Sequence, residues 1–219
     1  MRLRRKGEAA AAEAAADESA HDDAADADAT TEPGNAGPYD ADELPDDGLA
    51  RLDLGSILVA PLPDRELRVQ VDEKSGEVRA VLLATDAGAL ELRAFAAPRG
   101  GDLWSDIRPQ IAADAARRGG TATEREGRFG TELVCEVQVN RADGQSGTQT
   151  SRVIGVNGPR WLLRATFLGE PAREPEAATE WEQAITQLAV RRGAHAMPVG
   201  EQLPLNLPDG AQPKAVDAG

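Results

Sequence analysis

The stretch TQTSRVIGVNGPRWLLRATFL, residues 148–168, decides the fold class of this chain. Asn157-Gly158 separates two apolar runs, and Asn-Gly in that position is the strongest short-range signal for a β-hairpin. A two-residue turn here would place Ile154 opposite Trp161. We therefore predict two neighbouring antiparallel strands, over 148–156 and 160–168.

The sequence on both sides of this hairpin also alternates between apolar and polar residues, as half-buried strands do. The alternating or apolar runs are 67–71, 78–84, 90–94 and 133–139. Turn residues separate them, at Ser75-Gly76, Ala87-Gly88 and Asp143-Gly144. These runs predict further strands joined by short antiparallel connections.

One helix is predicted between the two groups of strands. Leu103, Ile107 and Ile111 are four residues apart, which is the spacing of one helix face. Asp102 is placed to cap the start of the helix, and Gly119-Gly120 to end it. Pro109 lies inside this pattern and predicts either a kink or a start nearer residue 106.

A second helix is predicted from about Glu174 to Arg192. Trp181, Ile185 and Leu188 form its apolar face, and Gly193 follows its end. The order of strands and helices favours an α+β fold, with a mainly antiparallel sheet of about seven strands covered by two main helices. The three tryptophans fall on predicted buried faces, and we interpret them as parts of a shared core.

The charge distribution divides the chain into segments. Fourteen acidic residues and no Lys or Arg occur between Glu8 and Gly48, whereas the chain from Arg51 onward is nearly balanced. We predict a disordered acidic, Ala-rich head at 1–36, an acidic segment at 37–50 that docks on the domain, a globular domain at 51–193, and an extended Pro-rich tail at 194–219. The head is interpreted as a solubilising leader, with a partner-binding tail or a mimic of nucleic-acid charge as the alternatives.

Composition also excludes several classes of function. A pI near 4.6 argues against direct nucleic-acid binding, which needs a basic surface. No apolar run is long enough to cross a bilayer, so we expect no membrane contact and a cytoplasmic location. The single cysteine, Cys135, excludes an intramolecular disulfide.

The search for catalytic chemistry predicts no catalytic, metal or cofactor-binding residues. His21 falls in the acidic head and His195 in a loop, so neither is held rigidly beside a nucleophile. Cys135 lies on an apolar strand face, where a raised pKa is expected. Glu132 and Glu136 share one side of a strand, and we interpret them as a solvated surface.

Arg160 and Arg164 are the candidate anion-binding residues, because both are expected to point away from the face that carries Trp161. Cross-strand ion pairs with nearby acids are the alternative interpretation of these two arginines.

Six stretches resemble an uncharacterised actinobacterial family, the domain of unknown function 3710. They are GPYD at Gly37–Asp40, RLDLGS at Arg51–Ser56, AFAAPRGGDLW at Ala94–Trp104, FGTEL at Phe129–Leu133, GVNGPRWLLR at Gly155–Arg164 and AMP at Ala196–Pro198. The resemblance covers residues 37 to 208 and implies no activity. The order of elements is also similar to that of PsbP-like folds, whose members act mostly as assembly or binding factors.

The C-terminal sequence QLPLNL, residues 202–207, resembles the hexapeptide with which bacterial proteins bind the replication sliding clamp. Gln202, Leu203, Leu205 and Leu207 are the candidate partner-binding residues, because alternate leucines of an extended segment can enter an apolar groove. The same spacing equally allows the segment to pack on its own domain as an edge strand.

These observations favour a cytoplasmic, non-enzymatic interaction or regulatory module with a protein partner, the sliding clamp being one candidate. A small-molecule or anion-binding domain is the alternative, and an enzyme of unknown class is a third interpretation.

Overall fold

The computed structural model describes residues 37–140 and 146–207. The predicted head at 1–36, the predicted turn at Asp143-Gly144 and the end of the predicted tail, 208–219, lie outside the described residues. Eleven strands and three α-helices are present within these bounds. In chain order they are β1 (Tyr39–Asp40), β2 (Leu52–Asp53), β3 (Ile57–Val59), β4 (Glu66–Val71), β5 (Val78–Ala84), β6 (Gly88–Ala96), α1 (Leu103–Arg117), β7 (Thr121–Gly127), β8 (Gly130–Asn140), β9 (Ser146–Asn157), β10 (Trp161–Gly169), α2 (Glu170–Arg173), α3 (Pro175–Thr186) and β11 (Ala189–Val190).

The centre of the fold is a seven-stranded sheet in the order β4-β5-β6-β10-β9-β8-β7. All neighbouring strands in it are antiparallel. Strand β10 pairs with β6 along its whole length, and so joins the strands that precede α1 to those that follow it. The predicted α+β class and the predicted antiparallel sheet of about seven strands are confirmed.

The β9–β10 hairpin is present, but its predicted register is wrong. Ile154 lies opposite Ala165, four residues beyond the predicted partner Trp161. The Gly158 amide donates to the Trp161 carbonyl over 2.8 Å, which closes a four-residue loop. A two-residue turn would have brought Pro159 into the ladder, where it has no N–H to donate.

Helix α1 covers one face of the large sheet, above β7, β8 and β9. Its start is capped by Asp102, whose carboxylate accepts from the Ser105 amide at 3.0 Å. Hydrogen bonds from Ser105 lower the pKa of the Asp102 carboxyl. The helix begins at Leu103, so the predicted start nearer residue 106 is wrong. The cap and the burial of the first turn hold the helix even though Pro109 donates no backbone hydrogen bond.

The opposite face of the large sheet is covered by α2, α3 and a small four-stranded sheet. The small sheet has the order β1-β11-β3-β2, in which β1 and β11 are parallel. Its outer strand β1 comes from the acidic segment 37–50, where the Tyr39 amide donates to the Leu188 carbonyl over 2.9 Å. The same segment contributes an ion pair between Asp47 and Arg51.

Helix α3 ends at Thr186, so the prediction that it continues to about Arg192 is wrong. The residues that follow form β11, which pairs with β1 on one side and with β3 on the other. Pairing on both sides satisfies the backbone of Ala189–Val190 better than a last helical turn, whose carbonyls have no partner within the helix. The short helix α2, which directly precedes α3, was not predicted.

The three tryptophans do not share one core, which corrects our interpretation. Trp104 packs with Leu133 and Leu162 in the cluster under α1. Trp161 and Trp181 belong to the larger cluster on the other face. The sheet separates the two clusters because successive side chains of a strand point to opposite faces.

No helix within 37–140 and 146–207 is long and apolar enough to cross a membrane.

Candidate functional site

The C-terminal motif at residues 202–207 packs on its own domain. Leu203 is fully buried and Leu205 is 7% exposed, and both belong to the larger apolar cluster. The Leu203 amide donates to the Ala94 carbonyl over 2.8 Å. Gln202 donates from Nε2 to the carbonyl of Arg79 over 2.7 Å.

The rest of the motif is bound to the loop that follows β2. The Asn206 amide donates to the Leu54 carbonyl over 2.9 Å, and the Ser56 amide donates to the Pro204 carbonyl over 3.1 Å. Leu207 is half-buried. A groove on another protein could therefore take these leucines only after the segment had left the core and broken these hydrogen bonds.

The two candidate anion-binding arginines lie in different environments. Arg160 is exposed in the β9–β10 loop, where its carbonyl accepts from the Ala97 amide. Arg164 lies on β10, directly opposite Arg93 of β6. The structure does not bring Arg160 and Arg164 together as a pair. Arg93 takes the place beside Arg164.

Arg164 lines a cleft of about 420 Å³ between α1 and the sheet. The sheet contributes Phe95 and Arg164, and the helix contributes apolar side chains along one face. The other lining residues are Leu103, Ile107, Gln110, Ile111, Asp114, Arg117 and Gly200. The cleft therefore combines an apolar wall with Arg164 on the sheet side and the ion pair of Arg117 with Asp114 on the helix side. A mainly apolar lining with a few polar groups is the usual composition of a ligand site.

The charges at the sheet side of this cleft are not balanced. Arg93 pairs with Glu91 at 2.9 Å, whereas the nearest Glu91 oxygen is 3.8 Å from Arg164. Two guanidinium groups thus share one carboxylate. Burial lowers the pKa of Arg164 from its ordinary value, and the positive charge of Arg93 lowers it further. The negative charge of Glu91 acts in the opposite direction but does not offset the other two effects.

The Arg164 guanidinium makes no hydrogen bond to any residue in the described part of the chain, and its Nε is buried. Its nearest charged group is the Glu91 carboxylate, at 3.8 Å, and it also lies over the ring of Phe95, with 5.2 Å between Cζ and the ring centroid. A guanidinium carries five N–H donors, and leaving such donors unpaired costs free energy. An anion entering the cleft would supply the missing acceptors.

A second charged cluster lies buried on the opposite sheet face, and our sequence analysis missed it. Arg152 of β9 donates two hydrogen bonds to Glu132 of β8, at 2.8 and 2.7 Å, and a third to Glu182 of α3. Glu132 is 1% exposed, so the prediction of a solvated surface is wrong for this residue. Glu136 is exposed.

The sequence contains one signal for this cluster. Arg152 shares its strand face with Ile154 and Val156, so a charge directly precedes the apolar part of that face. Burial opposes the charge of Arg152, but the hydrogen bonds to Glu132 and Glu182 outweigh it and raise the pKa of Arg152. All charges of this cluster are paired, so it ties α3 to the sheet and offers no open position for a ligand.

The residues with nucleophilic or metal-binding chemistry are scattered. Cys135 is buried under α1, and this burial raises the pKa of its thiol, as predicted. His195 is exposed in the loop after β11. Among residues 37–140 and 146–207, no group of three His, Cys, Asp or Glu side chains is arranged to hold a metal ion.

We expect the Cys135 thiol to react slowly with Ellman's reagent in the native protein and fully in urea. Both the burial of the sulfur and the raised pKa reduce the population of accessible thiolate. The measurement is the release of thionitrobenzoate at pH 8 with and without urea. Equally fast reaction in both conditions would contradict the placement of Cys135 under α1.

A family model described as "Protein of unknown function (DUF3710)" matches residues 37–214. No curated protein matches the chain.

Two solved structures are similar at a low level. One is a protein from Bacteroides thetaiotaomicron, with 15% identity over 66% of this chain and a TM-score of 0.36. This chain covers 52% of that protein, about half of its length. The other is the cyanobacterial PsbP protein CyanoP from Synechocystis, with 14% identity over 65% of this chain and 92% of CyanoP, also at a TM-score of 0.36. PsbP-like proteins are thus among the structural neighbours, as the order of elements had indicated.

Proposed function

The chain belongs to the DUF3710 family, a family of unknown function, and from its geometry we propose that it is a non-enzymatic binding module. Its binding site is the cleft between α1 and the sheet, and its ligand is an apolar group that carries a carboxylate. The observation that carries this proposal is the Arg164 guanidinium, which lines an apolar cleft without a hydrogen bond to any described residue.

The shape and charge of the cleft support this ligand class. Ile107 and Ile111 of α1 and Phe95 of β6 give an apolar body a surface to pack on. Arg164 can bind a carboxylate with two parallel N–H···O bonds, and such charge-assisted pairs are stronger than neutral ones. Arg93 adds a second positive charge beside it.

A binding role also fits the chemistry of the described residues. The thiol of Cys135 is buried among apolar side chains, and the His195 imidazole is exposed in a loop, so neither is placed beside a catalytic partner. A cytoplasmic location is part of the proposal. It is supported by the single cysteine in 219 residues, since small secreted domains commonly rely on disulfides.

The carboxylate has two sources that the same cleft could accept, a free organic acid or the C-terminus of a partner protein. Hexanoate is the probe for the first source, with hexan-1-ol as its uncharged analogue. A short peptide ending in leucine is the probe for the second, with its C-terminal amide as the uncharged analogue.

We expect the charged probes to raise the melting temperature and the uncharged analogues to leave it unchanged. Ligand at ten times its Kd stabilises the folded state by about 1.4 kcal/mol, which raises the Tm of a domain of this size by roughly 4 °C. R164Q is expected to abolish this shift. The matched control R160Q removes an exposed arginine outside the cleft and is expected to retain it.

The proposal fails if neither charged probe raises the Tm, or if R164Q and R160Q respond alike. A shift with the peptide alone assigns the site to a protein partner, and a shift with hexanoate alone assigns it to a small molecule.

Docking on the sliding clamp through residues 202–207 stays a prediction. The geometry favours it less than the cleft, because Leu203 and Leu205 contribute to the core and Gln202 is hydrogen-bonded to Arg79.

A further inference from the structure

A second cleft lies at the end of the large sheet that carries the β9–β10 loop. Three stretches that are far apart in sequence meet there, 37–43, the residue Phe129 and 156–161. They enclose about 330 Å³, which is near the lower end of the volume of small-molecule sites. The stretches GPYD, FGTEL and GVNGPRWLLR, which we had singled out in the sequence, each contribute to its lining.

The walls of this cleft are aromatic. Tyr39 and Phe129 are half-buried, and Trp161, which is 1% exposed, lies at the floor. The face of an aromatic ring carries a partial negative charge and attracts cations within about 6 Å of the ring centroid. Arg51 lies 5.9 Å from the Tyr39 ring and Arg128 lies 5.8 Å from the Phe129 ring, and neither arginine lines the cleft. Their positive charges oppose a further cation, so binding depends on the carboxylates that line the cleft.

The charged residues that line the cleft are both acidic, Asp40 and Glu43. Asp40 is held in place, because its Oδ2 accepts from the Trp161 indole at 2.9 Å and its Oδ1 accepts from the Asp42 amide at 3.1 Å. Glu43 is exposed and has no ion pair within the described residues. Among residues 37–140 and 146–207, neither Lys nor Arg lines the cleft, so no described cation within it neutralises these carboxylates.

We propose that this cleft binds an alkylammonium group. The cation would lie between Tyr39 and Phe129, and the carboxylates of Asp40 and Glu43 would balance its charge. This site is independent of the Arg164 cleft, because the two have no lining residue in common. It takes a ligand of the opposite charge.

The Trp161 indole N–H gives a direct readout. The indole N–H donates to the Asp40 carboxylate at the floor of the cleft. A cation that pairs with the same carboxylate therefore changes the environment of the indole N–H. In a ¹H–¹⁵N correlation spectrum of the full chain, we expect choline to shift the Trp161 indole peak in a saturable manner. The Trp181 indole, which belongs to α3, is expected to stay in place.

The matched probe is 3,3-dimethylbutan-1-ol, which has the shape of choline without its charge, and it is expected to leave the Trp161 peak unchanged. E43Q is expected to weaken choline binding by about threefold, because it removes one of two compensating charges at an exposed position. F129L, which keeps an apolar side chain but removes the ring, is expected to weaken it by about fivefold. E136Q makes the same charge change on an exposed residue outside the cleft and is expected to leave the affinity unchanged.

The proposal is overturned if choline does not shift the Trp161 peak, or if the uncharged alcohol shifts it equally. It is also overturned if E136Q weakens binding as much as E43Q, because the effect would then follow the net charge of the protein. R164Q is expected to leave choline binding unchanged. A failure of the alkylammonium site is therefore distinguishable from a failure of the proposed carboxylate site.

Discussion

L203A is expected to lower the free energy of unfolding by about 2–5 kcal/mol, the usual cost of truncating a buried leucine. Leu203 is fully buried in the larger apolar cluster. Its own amide is hydrogen-bonded to the carbonyl of Ala94 in β6. Urea unfolding followed by tryptophan fluorescence measures the loss, provided that the m-value stays unchanged.

The control is L207A, which makes the same change at the half-buried end of the motif. We expect it to cost about 1 kcal/mol or less, because little apolar surface is lost. Equal, small effects of L203A and L207A would show that the segment is not held in the core. That result would restore the interpretation of residues 202–207 as a docking peptide for another protein.

The second large effect concerns the buried cluster around Arg152. We expect R152M to cost about 3 kcal/mol, near the lower end for breaking a buried ion pair, because the buried carboxylate of Glu132 then keeps only its second partner, Arg125. Glu182 loses its arginine as well, so the contact between α3 and β9 is weakened at the same time. The measurement is again urea unfolding.

The double variant E132Q/R152M tests the cause of this loss. Removing the charge of residue 132 together with Arg152 is expected to restore part of the stability, because a neutral amide is cheaper to bury than a carboxylate that keeps only Arg125 of its two arginines. A loss in the double variant larger than that of R152M would contradict the electrostatic explanation. It would indicate that the stems of these side chains contribute mainly by packing.

The elements with a strong local pattern were predictable from the sequence. The runs predicted at 67–71, 78–84 and 90–94 correspond to β4, β5 and β6, and their ends differ by two residues at most. Asp102 caps α1, as its position directly before Leu103 indicated. Cys135 lies on the apolar face that the alternation of β8 had assigned to it. In these cases, the signal lies within a few residues of the feature that it predicts.

Features that depend on distant partners were not predictable. The end of α3 at Thr186 is set by the pairing of Ala189–Val190 with β1 and β3, which lie more than a hundred residues earlier. The hairpin register, in contrast, has a local cause, because Pro159 has no N–H to donate and so excludes the shorter turn.

The sequence by itself determined the central strands β4, β5, β6, β8, β9 and β10, the cap of α1 at Asp102 and the face of a strand on which each side chain lies, because backbone periodicity and caps are local properties. Only the tertiary structure decided which faces are covered and by what. Periodicity assigns Arg152 and Arg164 to faces of the sheet. It does not predict that Glu182 pairs with Arg152, or that Arg164 has no hydrogen bond to any described residue. Those outcomes depend on contacts between residues far apart in the chain, such as the hydrogen bond from Trp161 to Asp40 across 121 positions, and such contacts form only when the whole core packs together.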